Sequence, residues 1–276
     1  MKDLNLGILT KKINAVAEKV LTSKMNIGIY GDSFAASPIL SAKSHRFAWF
    51  NLLAKKLGGK VYNYETEQEG ISYGLGASPT FYSYKKFLKF HHKHDLNIFM
   101  VSDPLKYSKL IEYKGELRPI SGISTLEYLL QETDNASTKD LLNDIKTWYM
   151  VSDQEFLVIV QELILQDMER RSPNIILIPV WRDYFTPERW ANTFIEFAMW
   201  DFVGIQSIAL GINGKELKPG MAVFNFEKPD TIACHMTEET SEYFSDLLFK
   251  YITTGEKVKL PHHIYQSKHW THYYGE

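Results

Sequence analysis

The sequence predicts a three-layer α/β/α fold built on a mainly parallel five-stranded sheet, and three observations predict it. Short apolar runs bounded by turn residues recur at Asn26–Tyr30, Lys60–Tyr64, Asn97–Val101, Asn174–Val180 and Ala222–Phe226, and each has the length and composition of a buried strand. Helix-like stretches lie between most of them, at Arg46–Leu57, Tyr82–His92, Asp153–Glu169 and Pro187–Trp200, with another at Glu238–Tyr251 after the last strand. The composition, 45% hydrophobic and 23% charged over 276 residues, is that of a globular chain long enough to bury a full core.

Residues 25–259 form one α/β domain in this reading. Before it, Ile8, Ile13, Val16, Val20 and Leu21 are interleaved with Lys11, Lys12, Lys19 and Lys24, which predicts an amphipathic helix over residues 1–24 and not a secretion signal. The stretch 104–150 is too long for a simple strand-to-helix connection and contains a helical pattern near Lys139–Trp148, so it is read as an insertion close to the site. Residues 260–276 form a tail rich in His, Tyr and Trp.

Charge excludes some partners. With 31 Lys+Arg against 33 Asp+Glu the net charge is -2, which offers no bulk attraction to nucleic acid or to an anionic membrane, and neither is expected as a partner. No run is long and apolar enough to span a bilayer. Cys234 is the single cysteine, so there is no internal disulfide and no CxxC metal pair; a reducing, cytoplasmic setting is expected, with no metal and no cofactor. The oligomeric state is not encoded in any visible pattern.

Ligands of open parallel sheets bind beyond the carboxyl ends of the strands, and Gly31-Asp32-Ser33 stands immediately after the first one. A serine there can sit at the start of a helical turn whose free N–H groups stabilise charge developing on a substrate oxygen. Gly31 permits a tight turn, and Asp32 can brace the loop or touch substrate. The same three residue types also make ordinary turns and N-caps, so the location carries more than the tripeptide.

A serine hydroxyl needs a base. His235 is the best placed of nine histidines, in a loop before the final helix, with Thr237 as that helix's predicted N-cap. Asp230, or alternatively Asp183 beyond the fourth strand, can orient it. Trp181, Arg182 and Tyr184 follow the same strand and can line a substrate pocket, although aromatic residues also pack under such loops for purely structural reasons.

Ile27-Gly28-Ile29-Tyr30-Gly31-Asp32-Ser33-Phe34, the helix-like Trp49 to Gly58, the strand Val61-Tyr62-Asn63-Tyr64 and the late His235 together resemble the SGNH, or GDSL-type, hydrolases, whose fold is flavodoxin-like. The resemblance covers the chain to about Tyr84 and again around His235. It implies Ser33 as nucleophile, His235 as base, and an oxyanion hole formed by the Ser33 N–H, a glycine N–H and an asparagine. Gly76 is favoured over Gly70 and Gly74 for the glycine. The sequence departs from the family twice: Ile232 stands where an Asp precedes the histidine, and Ser102-Asp103-Pro104 stands where an asparagine is expected, leaving Ser102 as a substitute donor.

Ser72 lies in a literal Gly-x-Ser-x-Gly, Gly70 to Gly74, but Thr66 to Glu69 separate it from the strand that a nucleophile elbow requires. His91-His92-Lys93-His94 and His262-His263 lack a ligand pattern, and the first is read as a solvated helix end. The resemblance implies a serine esterase acting on a small acyl ester or an O-acetylated carbohydrate. The alternatives are an acyltransferase using the same serine, and a non-catalytic binding or structural module on the same fold, which the two departures motivate.

Overall fold

The computed structural model describes residues 25–36, 48–76, 78–106, 110–113, 115–120, 123–180 and 238–257. Its central strand is β1 (Asn26–Tyr30), flanked in parallel by β2 (Lys60–Asn63) on one side and β4 (Leu96–Val101) on the other, with β7 (Ile175–Pro179) parallel beyond β4. The short β3 (Gln68–Glu69) adds an antiparallel edge to β2, so the order is β3-β2-β1-β4-β7. Ile29 pairs with Ile98 and Tyr30 with Phe99, so β4 extends two residues, Met100 and Val101, beyond the end of β1.

Both faces of this sheet are buried, and this explains why its strands read as continuous apolar runs. Ile27, Ile29, Leu96, Ile98, Met100 and Ile178 point into one core with α1 (Trp49–Lys56) and α6 (Glu238–Thr254), where Trp49 meets Phe244 edge-on at 5.2 Å. Tyr30, Phe99, Val101 and Leu177 point into the other, with α2 (Thr80–Phe90) and α5 (Gln154–Arg171). Alternation of side chains along each strand puts helices on both faces.

The insertion is more structured than one helix. It contains a hairpin, β5 (Leu110–Tyr113) and β6 (Glu116–Pro119), followed by α3 (Ile123–Glu132) and α4 (Ala136–Val151). Ile111, Tyr113, Ile120, Leu126, Leu129, Leu142 and Ile145 give it a core of its own. Asn135 caps α4 by accepting from Thr138 N–H at 2.9 Å, and Asp153 caps α5 by accepting from Phe156 N–H at 3.2 Å.

The strand expected at Ala222–Phe226, the helix expected at Pro187–Trp200, the amphipathic segment 1–24 and the tail 260–276 lie outside the described residues. Among the described residues the fifth strand of the sheet is β3, whose two exposed polar residues carry no apolar signal. Among the described residues no helix is long and apolar enough to cross a membrane.

The helix-end histidines need a correction. His92 and Lys93 are exposed as expected, but His94 is half-buried beneath the sheet edge. Its Nε2 lies 3.0 Å from the Tyr62 carbonyl oxygen, and its Nδ1 lies 3.0 Å from the Phe90 carbonyl oxygen and 3.1 Å from Tyr30 Oη. Burial pushes the Tyr30 phenol well above its ordinary range, so it stays protonated beside the imidazole. Gly28 makes room, since a Cβ there would sit 2.7 Å from His94 Nδ1.

Burial lowers the His94 pKa below its ordinary 6.5, only partly offset by the Tyr62 and Phe90 carbonyls. The unfolded chain therefore binds this proton at a higher pH than the folded one, so the stability His94 provides is complete above about pH 6.5 and declines as pH falls through the lowered folded value. His94→Phe, which keeps a ring but strands Tyr30 Oη and Tyr62 O, is expected to cost about 1–3 kcal/mol at pH 7.5. In denaturant titrations the gap from wild type should narrow toward pH 5; a gap independent of pH would contradict the lowered His94 pKa.

Candidate active site

β1 connects onward to β2 on one side, whereas β4 joins β1 on the other, so the strand order reverses between β1 and β4. A crevice forms at such a reversal beyond the carboxyl ends of the strands. Gly31 to Ala36 leave β1 there, and Ser102 to Lys106 leave β4 beside them.

Gly31 adopts φ 140°, and a Cβ would lie 2.8 Å from the Met100 carbonyl oxygen, so both backbone and space demand glycine. Its own carbonyl accepts from Leu75 N–H at 3.2 Å, Ser78 Oγ at 3.2 Å and Ser83 Oγ at 2.9 Å, which ties the turn to the glycine-rich loop and to α2. Ala35 N–H donates to the Asp32 carbonyl at 3.0 Å, and Trp49 Nε1 donates to the Phe34 carbonyl at 2.9 Å. Gly31, Asp32, Phe34 and Ala35 are all buried, while Ser33, in their midst, is half-buried. Among the described residues no hydrogen bond engages the Ser33 hydroxyl.

Asp32 is 1% exposed and its carboxylate is fully engaged. Oδ1 accepts from Phe34 N–H at 3.1 Å, and Oδ2 accepts from Ser102 Oγ at 2.8 Å and from Lys106 Nζ at 3.0 Å. Lys106 Nζ also donates to Ser102 Oγ at 2.6 Å. This corrects two expectations. Asp32 braces the loop and does not face substrate, because both oxygens are buried and satisfied. Ser102 has one proton and gives it to Asp32, so it does not supply the missing oxyanion donor.

Lys106 is the residue that sequence reasoning missed. The turn Asp103-Pro104-Leu105-Lys106 closes with Lys106 N–H on the Asp103 carbonyl at 3.4 Å, while Asp103 Oδ1 accepts from Leu105 N–H at 2.8 Å. That turn swings Lys106 back over the end of β4. Its one visible signal was a lysine four residues after Ser102, the first residue beyond the buried strand β4. Burial raises the Asp103 pKa and the Asp32 charge adds to this, against the Leu105 N–H and Lys106, which lower it. Removing Lys106 from the buried pair would leave Asp32 uncompensated, at a cost of about 3–5 kcal/mol.

Comparison of the chain with protein-family models, with curated proteins and with solved structures finds no match in any of the three. His235, Asp230, Asp183, Trp181, Arg182 and Tyr184 lie outside the described residues. Among the described residues no group of three or more His, Cys, Asp or Glu side chains could hold a metal ion.

Ser72 is buried in irregular chain, its Oγ accepting from Gly74 N–H at 3.3 Å, with no helix beginning until Thr80. That is not a nucleophile elbow. The glycines of this loop divide clearly. A Cβ on Gly74 would lie 2.5 Å from the Ala35 carbonyl oxygen, whereas one on Gly76 meets nothing within 4 Å among the described residues. Gly74→Ala is therefore expected to destabilise by about 1–3 kcal/mol by forcing the Ser33 turn aside. Gly76→Ala should stay within about 0.5 kcal/mol of wild type. Equal midpoints for the two in urea titrations would contradict the packing of the loop on Ala35.

Proposed function

We propose that the protein is a serine ester hydrolase, a divergent relative of the SGNH class, acting on a small acyl ester or an O-acetylated carbohydrate. One observation carries the reading most: Ser33 is the half-exposed member of a turn whose other residues are pinned, at the point where the strand order reverses. A nucleophile held this way is oriented before substrate arrives. A turn that served only to connect would have no need of so many anchors.

In this mechanism Ser33 Oγ attacks the acyl carbon while His235 takes its proton. The carbonyl π electrons move to oxygen, and the oxyanion is held by backbone N–H groups of Ser33 and Gly76. The C–O bond to the alcohol then breaks as His235 returns the proton to the leaving oxygen, and water repeats the sequence to release the acid. Asp230 or Asp183 orients the histidine. Transfer to an acceptor alcohol in place of water would make the same site an acyltransferase. The commitment of Ser102 to Asp32 removes one prospective oxyanion donor, a loss worth on the order of a hundredfold in rate, and this favours a slow or specialised enzyme, or the non-catalytic module, over a fast general esterase.

A fluorophosphonate probe tests the nucleophile. Wild type should be labelled at Ser33 and Ser33→Ala should not, while Ser72→Ala keeps the label. Turnover of a short-chain nitrophenyl ester should fall on the order of a thousandfold or more in Ser33→Ala. Wild type that resists the probe and turns over no ester of the panel would leave the binding module as the better reading.

A further inference from the structure

We propose that Lys106 is a positioning residue for Ser33, acting through Asp32; the proposal rests on the reading of Ser33 as nucleophile. A carboxylate is planar, so fixing one oxygen fixes the other. Asp32 Oδ1 holds the N–H of Phe34, two residues on, across the turn that has Ser33 at its centre. Asp32 Oδ2 is held at 3.0 Å by Lys106 Nζ, and the same ammonium steadies the other donor, Ser102 Oγ, at 2.6 Å. The orientation of the carboxylate that closes the Ser33 turn is thus set from the neighbouring strand end.

The charge of Lys106 is the part that Ser102 cannot replace. A hydroxyl gives Asp32 one neutral hydrogen bond, whereas an ammonium compensates its charge where water is excluded. Lys106 is itself 8% exposed, so the pair is little screened. Lys106 also lies in the turn that leads from β4 into the insertion, and Asp32 is adjacent to the nucleophile. The ion pair therefore links the base of the insertion to the Ser33 turn across the β1/β4 crevice.

Two readouts separate this proposal from the one beneath it. Hydrogen exchange of a peptide spanning residues 30–36 reports the turn without requiring any chemistry. It should rise about tenfold or more in Lys106→Met, with peptides from the middle of β4 unchanged. Labelling of Ser33 by the fluorophosphonate, measured per folded molecule, should slow about tenfold or more in the same variant, since small displacements of an oriented nucleophile cost rate steeply. Lys106→Arg should restore part of both. If Lys106→Met does not fold, Asp32→Asn/Lys106→Met, which leaves no buried charge unpaired, should show the same faster exchange and slower labelling. Wild-type exchange over residues 30–36, or a wild-type labelling rate, in a folded variant lacking Lys106 would overturn the proposal. Wild type that exchanges as expected relative to the variant but never labels would overturn the nucleophile reading and leave the clamp standing.

Discussion

A carboxylate buried at the mouth of a sheet must find donors and positive charge nearby, and Asp32 finds them on the adjacent strand. The turn after β1 depends on that encounter. Ser102 and Lys106 reach Asp32 because β1 and β4 are parallel, with Tyr30 beside Phe99, so that the chain leaving β1 runs alongside the last residues of β4. The register in turn follows from two cores: Ile27 and Ile29 pack with Ile98 and Met100 on one face, Tyr30 with Phe99 and Val101 on the other. Sliding β4 by one residue would exchange its faces and put Asn97 where Ile98 now lies. Sheet packing and site geometry are therefore one constraint.

The same strand explains the opposite corner of the domain. Tyr30 ends β1 pointing away from Ile29, stacks on Tyr73 at 4.9 Å, and hydrogen-bonds His94 Nδ1 at 3.1 Å. Tyr73 in turn accepts the Tyr64 N–H at 2.7 Å and gives its own N–H to the Ile29 carbonyl at 2.8 Å. The loop that follows β3 is thereby fastened to β1 just before Gly31, and the glycines at 74 and 76 inherit their positions from that fastening. What looks in sequence like a nucleophile elbow is the packing partner of the Ser33 turn.

Much of this was legible. Strands buried on both faces announce themselves as apolar runs, so β1, β2, β4 and β7 were each located within a residue or two of their bounds, as were α5 and the start of α6. β3 was not legible, because two polar edge residues gain their strand character from β2 and not from their own side chains. The hairpin and α3 had local signals, Gly115 between two alternating stretches and Leu126, Leu129 and Leu130 at helical spacing, but the parallel-sheet pattern drew the reading past them. At the site, the position of Ser33 was legible from a turn that follows a strand. The fate of Asp32 and Ser102 was not, because the lysine that engages them lies 74 residues from Asp32 in the chain and only the fold brings it near.

The chemistry of the pair also bears on why the site keeps it. A buried ion pair is seldom more stabilising than well-packed apolar residues of the same volume, since desolvating both charges offsets most of their attraction. Stability alone would thus be served as well by a leucine and an alanine. What apolar residues cannot do is specify direction: they fill space, whereas a carboxylate gripped at Oδ2 by an ammonium presents Oδ1 to one particular N–H. Direction matters most at the residue next to Asp32, whose hydroxyl no described residue engages. The expense of burying two charges is thus concentrated beside Ser33, half-buried between the buried Asp32 and Phe34, and that placement favours a site that orients a reacting group over a loop that merely connects two elements.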